Sequence, residues 1–459
     1  MHAAPAVLLL LLGGWLLLRR HGLWYDELYT AEVAPLPLAD LWQAFVRGEG
    51  TIAYLRDAPP SYNFPYYVVA HVWLAATGLA ADEAGLRLLS LLAMAAAVVV
   101  VGLVGTRLGG PRAGLAAGLA MAANPFVVQF SAEARGYALA VFATALSALG
   151  LVRWLDGGRS LRLYGGAGAV AGLMHWFALL PVAALAVAAV VLKGRRDARP
   201  VLATAALASL PALAVIGTAV ANGVGDSGAE WISDVGLAVP RLLMKSWTAA
   251  HPALLVITLA AAAIGLARGG RIPRTVAGAW VLLPVVTVTV VEVVRPVFVD
   301  RYLLPSLAGL AVLVGLGVAV LPRRAGVAAL AAVVAVSAWA TVDDVRLGPK
   351  EDVRSAVAHL AAWARPGEPI VAAARWDALG VEHYARRHHR QLVAQLVLPP
   401  SPVPDEPVMW VVRRAKGGVK GDRTKLEALD QELGRRSLRL TDERRFDGRY
   451  ADVLVQRWS

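Results

Sequence analysis

Apolar runs of about bilayer-crossing length recur along this chain from its N-terminus to about Ala340 and then stop. They fall at Ala4–Leu18, Leu88–Thr106, Ala113–Gln129, Tyr137–Val152, Leu163–Trp176, Ala178–Leu192 and Val201–Val220. They resume at Ala253–Ala267, Val276–Val294, Leu303–Leu321 and Val327–Ala340, about eleven in all, with the pair around His175 readable as one bent hairpin. With 58% hydrophobic and 17% charged residues, a soluble fold could not cover this much apolar surface with polar atoms. The expected fold class is therefore an α-helical polytopic membrane protein over 1–341. Residues 342–459, charged and mixed, form a small soluble α/β domain.

The loops orient the spans. Arg107 and Arg112 make one basic loop, and Arg153, Arg159 and Arg162 the next. Lys193–Arg199, Arg268–Arg274 and Arg323-Arg324 follow in every second loop, the positive-inside pattern of cytoplasmic turns. The alternate loops carry Glu133, Asp226, Glu230, Asp234 and Asp300, which places those acids and the tail outside. The net charge of +12 is thus topological, and its scatter between apolar spans argues against nucleic acid. Without cysteine there is neither a disulfide framework nor a thiolate metal site. Ala4–Leu18 has no basic residue before it and no small-residue cleavage site after it; Arg19-Arg20 follows, so it is expected to be an uncleaved span. Ser61–Ala80 is apolar enough to span, which would put Asp26 in the cytoplasm; but it holds Asn63, Pro65, His71, three Tyr and Trp73, a mixture suited to the interface, so 19–87 is expected to be one outer loop.

Four outer elements can carry chemistry. Trp24-Tyr25-Asp26-Glu27-Leu28-Tyr29 sets two carboxylates among aromatics at the membrane surface, a costly arrangement unless solvated, paired or metal-bound; a helix N-terminus, where acids are favourable, is the plain alternative. Asp57-Ala58-Pro59-Pro60-Ser61-Tyr62 places Asp57, a weaker candidate than Asp26, before a proline pair that reads as a plain helix start. Glu133-Ala134-Arg135-Gly136-Tyr137 lies in a short turn between spans, either as a local ion pair or as an acid with an anion-holding Arg. Arg295 to Tyr302 puts Arg295 and Arg301 at the outer end of a span, where guanidinium either snorkels or binds phosphate bidentately. His175, at another outer turn, is more often a polar cap than a metal ligand in such a place. Together these groups offer a base and cations for a phosphate leaving group.

The order of these motifs resembles that of the GT-C membrane glycosyltransferases: an Asp-Glu pair after the first span, Pro-Pro-x-Tyr, Glu-Ala-Arg-x-Tyr, and a late Arg-Tyr-Leu-Leu-Pro. The likeness is to the bacterial branch akin to protein O-mannosyltransferases and the lipid A aminoarabinose transferase, over about Leu11 to Pro322. The resemblance implies transfer of a sugar from a polyprenyl-phosphate carrier to a glycan, lipid or protein acceptor outside the cell membrane. It implies Asp26 as the base with Glu27 beside it, Glu133 as the second acid and Arg301 as the lipid-phosphate contact. Tyr302, Arg135, Tyr137, Asp57, Arg295 and His175 complete the expected substrate-binding set. Some members of the group bind a divalent metal, Mg or Mn, near the acids and others need none, so Asp26 and Glu133 are metal candidates. Many relatives read His-Pro-Pro-Leu where this chain reads Ala58-Pro59-Pro60-Ser61, and His71 and His175 are the available substitutes.

The tail is expected to form helices at Asp352–Arg365, Asp377–Arg387 and Asp422–Arg436, the last aligning Leu426, Leu429 and Leu433. Strands are expected at Pro369–Ala374, Gln391–Leu398, Val408–Arg413 and Ala451–Trp458. It carries no catalytic motif; acceptor binding and a lid or stabilising cap are equal expectations. Two readings compete with the enzyme: a lipid or glycan transporter, which would show matched halves with broken helices at midplane, and a non-catalytic envelope scaffold. No internal repeat is present, and the charges gather at one surface rather than mid-membrane.

Overall fold

The structure is a computed structural model that describes residues 3–19, 22–223, 232–415 and 420–459. Arg20, Asp226 and Glu230, read above as loop charges, lie outside the described residues. The chain forms two compact units. One comprises Met1–Leu17, Ser61–Val69 and Leu86–Asp344; the other comprises Leu18–Pro60, Ala70–Gly85 and Val345–Ser459.

The first unit is a helical bundle. Its helices are α1 (Ala3–Arg19, which runs on past the unit's edge), α5 (Glu83–Ala123), α6 (Pro125–Ser131), α7 (Tyr137–Leu155), α8 (Leu161–Met174), α9 (Leu179–Asp197) and α10 (Arg199–Ala221). α11 (Val239–Trp247), α12 (Pro252–Arg268), α13 (Arg271–Val294), α14 (Leu304–Val320) and α15 (Arg323–Arg346) follow. α2 (Tyr25–Val33), α3 (Leu38–Arg47) and the second half of α4 (Phe64–Thr77) belong to the other unit. Among the described residues seven helices are long and apolar enough to cross a membrane, eight if the bent pair α11 and α12 is one span. That is fewer than the eleven runs in the sequence, for identifiable reasons. α1 and α8 are short, with 17 and 14 residues, and two runs merge in the 41-residue α5. α5 is broken at Gly110, whose φ of 82° is open to glycine without penalty. There the chain folds back: a Cβ on Gly105 would lie 3.0 Å from the Cα of Gly114 on the returning limb. The bend of 107° between α11 and α12 falls at Ala249 and Ala250, both at positive φ. α14 is the axis of the bundle. Every residue from Leu304 to Val318 is buried, against α7, α12 and α13.

The second unit contains the α/β tail: α16 (Val353–Trp363), α17 (Arg375–His388) and α18 (Lys420–Arg435) with strands β1 (Ile370–Ala372), β2 (Leu396–Val397), β3 (Met409–Arg414), β4 (Leu440–Phe446) and β5 (Val453–Trp458). The sheet order is β2-β1-β3-β5-β4. β1 pairs in parallel with β2 and β3, while β5 is antiparallel to β3 and β4. Val371, Met409 and Val411 pack against Leu429 and Leu433 of α18, two of the three leucines read as one face; the side chain of the third, Leu426, is outside the described set. Two elements depart from the sequence reading. Most of the expected strand at Gln391–Leu398 is a 3-10 turn, Arg390–Gln395, and β4 was not expected at all.

Candidate active site

At one end of the bundle three turns meet. The first begins at α6, whose N-terminus is capped by Asn124: its Oδ1 accepts from the amides of Phe126 and Val127 at 3.0 and 3.2 Å. Its Nδ2 donates to the Trp247 carbonyl at 2.9 Å, which ties α6 to α11. After α6 the chain turns through Glu133, Ala134 and Arg135, all buried. The turn closes tightly, the Arg135 amide donating to the Glu133 carbonyl at 2.8 Å. Gly136 lets it press on α8: a Cβ there would sit 2.5 Å from the Met174 carbonyl oxygen. Arg135 Nη1 donates to the Tyr67 hydroxyl at 3.2 Å.

The second turn holds His175. It ends α8 in an extended conformation and makes no side-chain cap, so the polar-cap expectation fails. The ring is buried between Tyr137 and Tyr302, at centroid distances of 5.2 and 4.7 Å, with Phe177 at 6.0 Å. Neither ring nitrogen has a hydrogen-bond partner among the described residues. The ring therefore works as packing between two tyrosines.

The third turn runs from Arg295 to Leu303. Arg301 is 8% exposed, Nε donates to the Tyr137 hydroxyl at 3.0 Å, and the guanidinium lies 5.8 Å from the centre of the Tyr302 ring. A snorkelling arginine would put its head group in water; this one points into a nest of aromatic rings. Arg295, by contrast, is exposed. Asp300 starts the turn by accepting from the Arg301 amide and from Ser246 Oγ, both at 2.7 Å. The sequence reading missed what fixes the turn. Glu292, at the end of α13 and 1% exposed, accepts from the amides of Val297 and Phe298 at 2.7 Å and of Val235 at 3.1 Å. An acid in an otherwise apolar helix was the available signal. Tyr67 was likewise overlooked, because it lay in a stretch read only for its interfacial character.

The remaining candidates lie in the other unit. Asp26 and Glu27 occupy the first turn of α2, where their charge suits the helix dipole. They differ in exposure: Glu27 is buried and Asp26 half-buried. Their helix is braced by the tail. Glu351 accepts from the Tyr25 amide at 3.3 Å, Arg414 stands 5.7 Å from the Tyr25 ring centre, and Trp376 lies against both Tyr25 and Tyr29. Arg414 itself bonds Asp377 at 2.9 Å and reaches Glu351 at 3.5 Å. Burial pushes the Glu351 carboxyl up, against the pull of Arg414. Asp57 pairs with Arg375 of α17. His71 Nδ1 donates to the Ala34 carbonyl at 3.0 Å.

Among the described residues no group of three or more His, Asp or Glu side chains is placed to hold a metal ion. No protein-family model and no curated protein sequence matches the chain. Solved structures do. ArnT from Cupriavidus metallidurans bound to undecaprenyl phosphate superposes with a TM-score of 0.61 at 15% identity, covering 99% of this chain and 97% of that one. Its apo form gives the same TM-score at 13% identity, with 97% and 96% covered. The archaeal oligosaccharyltransferase AglB from Archaeoglobus fulgidus, in complex with an inhibitory peptide and a dolichol-phosphate, gives 0.54 at 12% identity, with 87% and 64% covered. The chain has the GT-C fold.

Proposed function

We propose that this chain is a membrane glycosyltransferase that moves a sugar from a polyprenyl-phosphate carrier to an acceptor at the outer face of the cell membrane. The observation that carries this reading is the buried arginine turn: Arg301, fixed to Tyr137 at one end of a bundle, in a fold otherwise seen holding undecaprenyl phosphate or dolichol-phosphate. The chemistry assigns each group a task. Asp26 takes the proton of the acceptor nucleophile as it attacks the anomeric carbon. The bond from that carbon to the carrier phosphate breaks, and the polyprenyl phosphate leaves with added negative charge. Arg301, with Arg135 and Arg295 in support, stabilises that charge as it grows, which raises rate more than it raises binding. Glu133 is the second acid of the proposal. No step here is routed through a metal.

The test uses the full chain in nanodiscs with a defined polyprenyl-phosphate sugar, turnover being measured per inserted protein. Asp26→Asn should lose ~100- to 10,000-fold, the usual range for a lost general base; near wild-type turnover in that variant sinks the assignment. Orientation is proposed from the basic turns. Single cysteines beside Asp26 and after Asp343 should react with an impermeant thiol reagent in intact cells, and one beside Arg195 should not. The reverse pattern overturns the outer-face placement.

A further inference from the structure

The second unit contains a cleft of about 350 Å³ at the carboxyl ends of the parallel strands β1 and β2, the edge of an α/β sheet where ligands characteristically bind. Its lining joins the segments that leave those strands, including Arg375 and Pro399-Pro400, to the first loop through Tyr54, Arg56 and Asp57. Asp57 was expected to bind substrate, but the transfer step proposed above uses none of this lining. Its chemistry is specific. Arg375 is neutralised by Asp57, whereas Arg56 is exposed and makes no ion pair among the described residues, so the cleft carries one net positive charge. The Tyr54 hydroxyl is committed to Glu382 at 2.6 Å and held protonated by burial and by that acid, so its ring is a fixed wall rather than a reactive group. Proline and tyrosine rings offer apolar faces to the C–H faces of a sugar, while the arginines and Asp57 serve its hydroxyls and an anionic substituent.

We propose that this cleft binds an anionic saccharide, one bearing a phosphate or carboxylate group. As the docking place of the acceptor it rests on the glycosyltransferase reading; as a binding site it does not. The experiment is saturation-transfer difference NMR on the full chain in nanodiscs, with glucose 1-phosphate, glucuronate and glucose as probes and no lipid-linked donor present. At least one of the two charged sugars should bind, whichever it is naming the anion, and glucose should bind about tenfold more weakly. Arg56→Gln, a surface change that spares folding, should bring the charged sugar down to the level of glucose. Equal binding of all three sugars, binding unaltered in Arg56→Gln, or no binding at all would each overturn the proposal. Because no donor is present, a protein that binds the charged sugar but never transfers one would sink the enzyme reading alone. A protein that transfers sugar with this cleft silent would sink the cleft alone.

Discussion

At the residue scale, the Asp26-Glu27 pair shows what a sequence can and cannot say. Adjacent acids among aromatics mark a costly place, but only the phase of α2 decides which acid is inside. Glu27 shares the buried run with Leu28, Tyr29 and Thr30, and Asp26 stays half-open. The two should therefore fail differently. Asp26→Asn should leave the thermal midpoint close to wild type and remove turnover. Glu27→Gln should cost ~1–3 kcal/mol of stability, as loss of a buried charged hydrogen-bonding group does, which thermal unfolding in detergent would show; equal stability of both variants contradicts the difference in burial. Arg301 tests the other half of the proposal. Arg301→Lys keeps the charge but loses the fork that meets phosphate and the Nε bond to Tyr137. Turnover should be graded, lower in Lys and nearly absent in Ala. Wild-type turnover of inserted Arg301→Ala would end the phosphate role.

At the element scale, long apolar helices such as α7, α13 and α14 were legible because burial in a bilayer imposes one demand on every residue of a span. β4 was not, because Thr441, Asp442, Glu443, Arg444 and Arg445 carry no apolar alternation. It is an exposed edge strand held by β5, and charge on an edge discourages further pairing. The α16–β1 corner makes a prediction about pH. Burial pushes the Glu368 carboxyl up, but bonds from Trp410 Nε1 at 2.7 Å, the Arg365 amide at 3.0 Å and Arg457 at 3.1 Å outweigh it, and the net shift is down. A carboxyl held low in the folded state adds stability that is full above the ordinary glutamate value and lost as pH falls through the lowered one. Glu368→Gln should lower the thermal midpoint at neutral pH and flatten its decline as pH falls below the ordinary glutamate range. An unaltered acid slope would show that the corner contributes nothing to acid lability.

At the scale of the whole molecule, the sequence divides at about Thr341 by composition, whereas the structure groups the first loop with the tail. Nothing local signals that grouping, because the contacts that make it join residues over three hundred positions apart. The Leu23 amide donates to the Tyr384 hydroxyl at 2.6 Å, His383 meets Glu32 at 2.7 Å, and the Tyr54 hydroxyl donates to Glu382. Arg414 brings the buried Glu351 and Asp377 together beside Tyr25, the residue before Asp26. These bonds tie the tail to the first loop, whose Leu23, Leu28, Leu41 and Leu55 are buried. Two variants follow from this. A chain ending at Arg346 should insert but lose protection of amide hydrogens over residues 22–60, down to the level of an unstructured loop. Arg414→Ala in the full chain should reproduce part of that loss around α2, because it leaves two buried carboxylates without their cation at a cost of ~3–5 kcal/mol. Hydrogen exchange with mass-spectrometric readout resolves both. If peptides covering Tyr25–Val33 stay as protected in the truncated chain as in the full one, the loop folds on its own and the tail does not brace it.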